Sequence, residues 1–230
     1  MARAMNALTL ITVYVSIVKN PEEGVLVRLL MVRHGDTEFN NERRFMGHSD
    51  IELSAEGRGQ IERLKRYLGR EPIEAAYASD LRRTLATAEI LMGDRGVKAT
   101  PCPELREMFY GSCEGLTFGE IGRDYPEVAR QCINFTPELE FPQGETFGDF
   151  AARVVRFLER LKSDGRDGPV LMVSHNGPIK VLICHMLGIG QEHWWQIRVD
   201  TASLSIMDFT PPGAVLTRLN DVSYLKNGTI

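Results

Sequence analysis

The chain has 230 residues, 43% hydrophobic and 25% charged, with a net charge of −4. That length carries one well-buried domain with room for an insertion, and the mild acidity gives no footing for a nucleic acid or an acidic membrane as partner. The four cysteines, Cys102, Cys113, Cys132 and Cys184, form no C-x-x-C pair, so reduced thiols in a cytoplasmic protein are expected rather than a disulfide framework.

Residues 7–18 are apolar and β-branched but too few to span a bilayer. No A-x-A cleavage site follows before Asn20-Pro21, so secretion is not expected. The alternation of Ile11, Val13, Val15 and Ile17 predicts an extra edge strand. A competing reading makes residues 1–24 an N-terminal extension ahead of the natural start. Glu22-Glu23-Gly24 is what a purine-rich ribosome-binding sequence would encode, with Val25 or Val27 as a GTG start. Residues 25–230 are expected to form a single domain.

The apolar run from Val25 to Val32 predicts a buried strand. It stops at Arg33-His34-Gly35, a cation and an imidazole where a turn residue would be ordinary. Asn40 to Asp50 is polar and loop-like. Ser54 caps a helix, with Glu56 in its first turn and Ile61, Leu64 and Leu68 at helical spacing; Gly69 ends it. Ile73 to Ala78 is a short strand that stops at Ser79-Asp80, which can cap the next helix, Leu81 to Met92. Val97 to Cys102 is a third strand. Glu104 to Gly144 is irregular. Its part from Phe109 onward is too long for a structureless loop and predicts a lid or cap with short helices of its own. Thr146 to Leu161 is amphipathic, with Phe147, Phe150, Val154, Phe157, Leu158 and Leu161 on one stripe. Pro169 to Val173 is a buried strand ending at Ser174-His175-Asn176-Gly177, and Pro178 opens a helix to Leu187. Leu204 to Phe209 and Ala214 to Leu219 predict a hairpin turned at Pro211-Pro212-Gly213. Strands alternating with helices predict a three-layer α/β/α fold, with a mostly parallel central sheet and a small helical cap insertion at about 109–144.

In such a sheet the carboxyl ends of the strands share one edge, where ligands bind. Arg33 and His34, Ser79 with Arg82 and Arg83, Glu104, Arg106 and Glu107, and His175 all fall there. Each alone has a bland reading: a structural histidine, a solvated arginine, a surface acid. Together they describe a chemistry. Two arginines in a helix's first turn oppose the helix dipole unless an anion is near. Arginines and helix N-termini collect a dianion. A histidine kept neutral by neighbouring arginines is a good nucleophile. Phosphoryl transfer needs positive charge on the equatorial oxygens and an in-line nucleophile, and the leaving oxygen needs a proton that a carboxylic acid can supply. No Walker-type glycine loop and no H-x-x-x-H or H-E-x-x-H spacing is present. We therefore expect no cofactor and no metal, with arginines in the metal's place and a phosphohistidine as intermediate.

Arg33-His34-Gly35-Asp36-Thr37-Glu38-Phe39-Asn40 resembles the R-H-G-x-T-x-x-N signature of the histidine phosphatase superfamily, the phosphoglycerate mutase-like family. Arg44 to Ser54 resembles its R-x-x-G-x-x-D-x-x-L-[ST] segment, and Ser79 to Ala88 its S-x-L-x-R-[AC]-x-x-T-A. Leu105-Arg106-Glu107 with Gly111 and Glu114-Gly115 resembles L-x-E-x-x-x-G-x-x-E-G. Gly144-Glu145-Thr146 resembles G-E-S, and Val173 to Gly177 resembles V-S-H-G-G. The resemblance runs from about Val27 to Phe209 and is highly specific in combination. It implies His34 as the phosphorylated nucleophile, Arg33, Arg83 and His175 on the phosphoryl oxygens, and Glu107 as proton donor. It also implies substrate contacts from Asn40, Arg44, Gly47 and Asn176. Thr84 replaces Ala or Cys, Thr146 replaces Ser, and Asn176 replaces Gly, where asparagine's tolerance of left-handed backbone would help.

Within the family, the insertion separates hydrolysis from mutase chemistry. Here it carries Arg123 and Arg130 against Glu114, Glu120, Asp124, Glu127, Glu138 and Glu140, a poor home for a second anion. A phosphomonoester hydrolase is expected. A cofactor-dependent phosphoglycerate mutase and a non-catalytic phospho-ligand binding protein are the alternatives. The partner implied is a small-molecule phosphate ester such as ribazole phosphate or a sugar phosphate, with a homodimer left open. Phe109, Tyr110, Phe118, Tyr125, Phe135 and Phe141 either line an apolar pocket or pack the cap. Cys113 falls near the expected site but reads as an ordinary small residue.

Overall fold

The computed structural model describes residues 27–134, 139–163 and 168–225. The strand expected over 11–17, together with Phe135 and Glu138, lies outside them. In chain order the main elements are β1 (Val27–Arg33), α1 (Glu38–Asn41), α2 (Ala55–Leu68), β2 (Ala75–Ala78), α3 (Arg82–Met92), β3 (Ala99–Pro101), α4 (Phe118–Asp124), α5 (Pro126–Asn134), α6 (Phe147–Ser163), β4 (Gly168–Ser174), α7 (Asn176–Leu187), β5 (Leu204–Thr210) and β6 (Gly213–Asp221).

The sheet has the order β3-β2-β4-β1-β5-β6. β1 pairs with β4, β4 with β2 and β2 with β3, all parallel. The β5–β6 hairpin adds antiparallel beside β1. The mostly parallel three-layer fold is therefore present, and its two faces can be read off β1. Successive strand side chains point to opposite faces. Leu29 and Met31 join the core built with Phe150, Val154 and Phe157 of α6 and Ile179, Val181 and Leu182 of α7. Leu30 and Val32 join the core built with Ile61 and Leu64 of α2 and Ala88 and Leu91 of α3. All six residues of the predicted α6 stripe are buried in the first of these cores. A strand covered on both faces loses the period-2 polarity of a half-exposed one, which is why β1 and β4 appear as unbroken apolar runs.

Several boundaries differ from expectation, each for a local reason. β3 is shorter than the Val97–Cys102 run: it is an edge strand paired with β2 only over Ala99–Pro101, its last bond to β2 being Cys102 N–H to Ala78 O at 2.7 Å, and an edge strand is where Pro101, lacking an N–H, is tolerated. α1 fills the gap between β1 and the expected loop and takes in the loop's first two residues, Asn40 and Asn41: Thr37 and Asn40 form a reciprocal capping box that closes one short turn. α3 is not capped by Ser79 or Asp80. Leu81 is its N-cap without a side-chain bond, and Asp50 takes the Arg82 N–H at 2.7 Å instead. Asp80 is diverted into a bidentate pair with Arg106, both bonds 2.6 Å. α7 begins at Asn176, two residues before Pro178, which is tolerated because the first-turn N–H groups have no intrahelical partner to lose.

The segment 109–144 contains a 3-10 turn at Gly111–Cys113 followed by α4 and α5. Phe45, Tyr110 and Phe141 pack there, with ring centroids 4.9–6.1 Å apart. Cys113 is buried in the same core. No helix among the described residues is long and apolar enough to cross a membrane.

The backbone after β1 is held against the first turn of α2 by a glycine pair. A Cβ on Gly35 would stand 2.5 Å from the Gly57 carbonyl oxygen, and one on Gly57 would stand 2.1 Å from that of Asp36. Ser54 completes the junction, accepting from Gly57 N–H at 3.0 Å and donating to Asp36 O at 3.2 Å. Gly59, two residues on, has only the Arg63 side chain at 4.0 Å. Gly57→Ala should therefore destabilise by roughly 1–3 kcal/mol through overpacking against backbone. Gly59→Ala should be neutral or stabilising by up to about 1 kcal/mol through helix propensity. Urea melts of the two variants give opposite signs if this close approach holds.

Candidate active site

Three parallel strands stop at the same edge of the sheet, and each delivers polar groups there. Arg33 ends β1 with His34 directly after it; Ser79 follows β2; His175 follows β4 as the N-cap of α7. His34 is fixed at that edge by its backbone, whose N–H donates to Ser174 O at 3.0 Å. Arg83 reaches in from the first turn of α3, while its neighbour Arg82 points outward to an ion pair with Glu52. Glu107 comes from the loop after β3. His34, Arg83, Glu107 and His175 are all buried.

The hydrogen bonds assign the two imidazoles opposite tautomers. His34 Nδ1 lies 2.8 Å from Gly35 O. A carbonyl can only accept, so Nδ1 carries the hydrogen and Nε2 keeps its lone pair. Arg83 Nε donates to His175 Nδ1 at 3.3 Å. A guanidinium N–H can only donate, so His175 carries its hydrogen on Nε2. That Nε2–H is buried and has no partner among the described residues, and neither has Arg33 Nε. The imidazole centroids are 5.1 Å apart, edge to face. One lone pair and two orphaned donors thus share a small space, and buried donors without partners are costly unless something fills them.

The arginines are placed by carbonyls. Arg83 donates to Gly47 O and Ser49 O, both at 2.7 Å, and Arg33 to Val199 O at 2.8 Å. Neither forms an ion pair within 4 Å among the described residues. Burial lowers the Arg83 pKa to about 10, so the group stays charged at neutral pH. Burial, then Arg83, then Arg33, holds the His34 pKa well below its ordinary value. Burial and Arg83 do the same to His175.

Two further residues brace the site and were not singled out for this role from the sequence. Glu114 accepts from the N–H groups of Gly47, His48, Ser49 and Tyr110 at 2.9–3.2 Å, and from the Ser49 hydroxyl. It shapes the loop whose carbonyls hold Arg83. Gly47 is required there, since a Cβ would lie 2.2 Å from both Glu114 Oε1 and Met108 O. Arg153 of α6 pairs bidentately with Glu145 at 2.7 and 2.8 Å. It also donates to the carbonyls of Glu104, Arg106 and Glu107 at 2.9–3.2 Å, clamping the loop that carries Glu107. Glu107 itself accepts from Met108 N–H and from Gly177 N–H in the first turn of α7, both at 3.0 Å.

The remaining expected substrate contacts are more scattered. Asn40 Oδ1 is engaged by the Thr37 N–H and hydroxyl at 3.1 and 2.9 Å. Arg44 is committed to Glu42, Gly115 O and Glu120 and ties the start of the 109–144 segment to the β1 side. Asn176 is half-buried in the first turn of α7. Its φ is not positive, so the left-handed tolerance invoked for it is not needed.

Two buried histidines held neutral make stability pH-dependent. Unfolded, each titrates near its ordinary value of about 6.5; folded, each stays neutral to lower pH. Below about pH 6.5 the unfolded chain binds more protons, so stability falls with acid, by up to about 1.4 kcal/mol per pH unit for each histidine. Thermal melts in phosphate-free buffer should show Tm falling from pH 6.5 to 5, with a shallower fall in the His34→Asn, His175→Asn double variant.

Residues 29–222 match the family described as the histidine phosphatase superfamily, branch 1. Phosphoserine phosphatase 1 of Hydrogenobacter thermophilus is 30% identical over 87% of this chain and 95% of its own length. A bifunctional protein of Mycobacterium tuberculosis is 35% identical over 88% of this chain, which spans 56% of that protein. The crystal structure of the α-ribazole phosphatase from Shigella flexneri superposes with a TM-score of 0.80 at 31% identity, covering 85% of this chain and 96% of that one. The chain belongs to the histidine phosphatase superfamily and is a phosphatase of that superfamily.

Proposed function

We propose that the protein hydrolyses a small phosphorylated metabolite through a phosphohistidine on His34, with Glu107 as general acid and then general base. The observation that carries this reading is the pair of opposite tautomers. His34 Nε2 holds a lone pair, while His175 Nε2–H and Arg33 Nε–H are buried donors without partners. A phosphoryl group set among them would receive the attack and satisfy both donors at once. Arg83 adds a fixed positive charge in a buried site, where it acts on charge developing in the transition state more strongly than in water.

In the first half-reaction the His34 Nε2 lone pair forms the N–P bond as the ester P–O bond breaks, and Glu107 gives its proton to the leaving oxygen. In the second, water attacks phosphorus, its proton passes to the Glu107 carboxylate, the N–P bond breaks, and phosphate leaves with His34 neutral again. Arg33, Arg83 and His175 hold the equatorial oxygens in both. The arginines supply the charge that a divalent cation would otherwise provide. The segment 109–144 acts as the cap over this edge, which fits a metabolite-sized ester. The relatives named above are a phosphoserine phosphatase and an α-ribazole phosphatase, and both ligands are phosphomonoesters of that size.

His34→Ala should abolish turnover of p-nitrophenyl phosphate; substantial residual activity excludes the phosphohistidine route. Glu107→Gln should slow an alkyl phosphate by about 10²–10⁴-fold and p-nitrophenyl phosphate far less, because p-nitrophenolate leaves without a proton. Equal losses would remove Glu107 as the acid. Dialysis against EDTA should leave the rate unchanged, measured with and without added Mg²⁺.

A further inference from the structure

α7 is apolar almost all round. Over its first two turns Gly177, Pro178, Ile179, Val181, Leu182, Ile183 and Cys184 are buried, and only Asn176 and Lys180 are half-exposed. Residues four apart lie on one helix face, so this face opens as a single polar strip running back from His175. Lys180 is one turn beyond the first-turn Gly177, whose N–H holds Glu107. Its ammonium sits 5.3 Å from the centroid of the Trp194 ring. Trp194, from a 3-10 turn at Gln191–Gln196, is itself backed by Phe147 at 5.1 Å. The ammonium has no hydrogen bond and no ion pair among the described residues. Glu107 and Arg33 both act on it electrostatically while burial lowers its pKa, so it belongs to the charge system of the site. A lysine ammonium is strongly hydrated and carries three donors. Placed over an indole and open on one side, it is a cation awaiting an anion.

We propose that Lys180, backed by Trp194, binds a carboxylate on the substrate, so that the preferred phosphomonoesters are those of short hydroxy- or amino acids. This rests on the phosphatase reading above. Lys180 stands one helical turn beyond Asn176, a backbone rise of roughly 6 Å, which suits a carboxylate a few bonds from phosphorus. The cation comes from α7 and not from the 109–144 segment. The acidic character of the 109–144 segment, which argued against a second anion, therefore does not bear on it.

The test is a ratio of kcat/KM values within matched pairs: O-phospho-L-serine against O-phosphoethanolamine, which lacks the carboxylate, and 3-phosphoglycerate against glycerol 3-phosphate, in which a hydroxymethyl group replaces it. The wild-type protein should favour the carboxylate-bearing member of at least one pair by about tenfold or more, as expected for one charge-assisted contact. Lys180→Met and Lys180→Gln should bring that ratio towards one, chiefly through KM, and Lys180→Arg should retain most of it. A wild-type ratio near one in both pairs overturns the proposal, and so does a preference that survives Lys180→Met. Failure of the underlying reading looks different: no turnover of p-nitrophenyl phosphate, or turnover that persists in His34→Ala.

Discussion

The site depends on one buried cation. Arg83 is fully enclosed, and taking a guanidinium out of water costs several kcal/mol unless its donors are met. The structure meets three of the five without a contacting carboxylate: two carbonyls, Gly47 O and Ser49 O, and the imidazole Nδ1 of His175 accept them. Had a carboxylate been used, the positive charge would be neutralised and of little use to an anion. Carbonyl dipoles fix the guanidinium while leaving its net charge in place. The bond to His175 then has a second effect, since it forces the ring hydrogen onto Nε2. A single side chain thus contributes the field and sets the tautomer beside it.

Everything near Arg83 serves to hold those carbonyls still. The 47–49 loop has no regular structure of its own, and Glu114 substitutes for it by gathering its three N–H groups on one carboxylate. Arg153 does the corresponding work for the Glu107 loop from the opposite direction, with a cation collecting carbonyls. These are charge-assisted bonds to backbone, stronger than neutral ones. The sheet supplies the remaining rigidity, because its parallel strands are covered on both faces and their ends cannot shift without disturbing two cores.

Legibility from sequence followed the range of the interaction responsible. β1, the α6 stripe and the Ser54 cap are decided by residues within a few positions of one another, and each was visible as a pattern. The N-cap of α3 was not. Ser79 and Asp80 are acceptable capping residues by type, but Asp80 gains more from a bidentate partner in Arg106, and a carboxylate from thirty residues upstream fills the vacancy. Arg44 and Asn40 show the same effect at the site, where side chains of suitable chemistry are engaged by nearer acceptors and donors. Glu114 was visible as part of a motif, but its role as a loop organiser depends on distances that spacing alone does not contain.

The sequence by itself determined the alternation of strands and helices, and with it the edge on which Arg33, His34, Arg83, Glu107 and His175 would gather. Hydrophobic periodicity is local, and the carboxyl ends of parallel strands have only one side to be on. Only the tertiary structure decided which nitrogen of each imidazole is free, which carbonyls hold Arg83, and that Lys180 stands over an indole. Those outcomes depend on competition among hydrogen-bond partners far apart in the chain, settled only when the backbone has closed and the number of acceptors within reach is known.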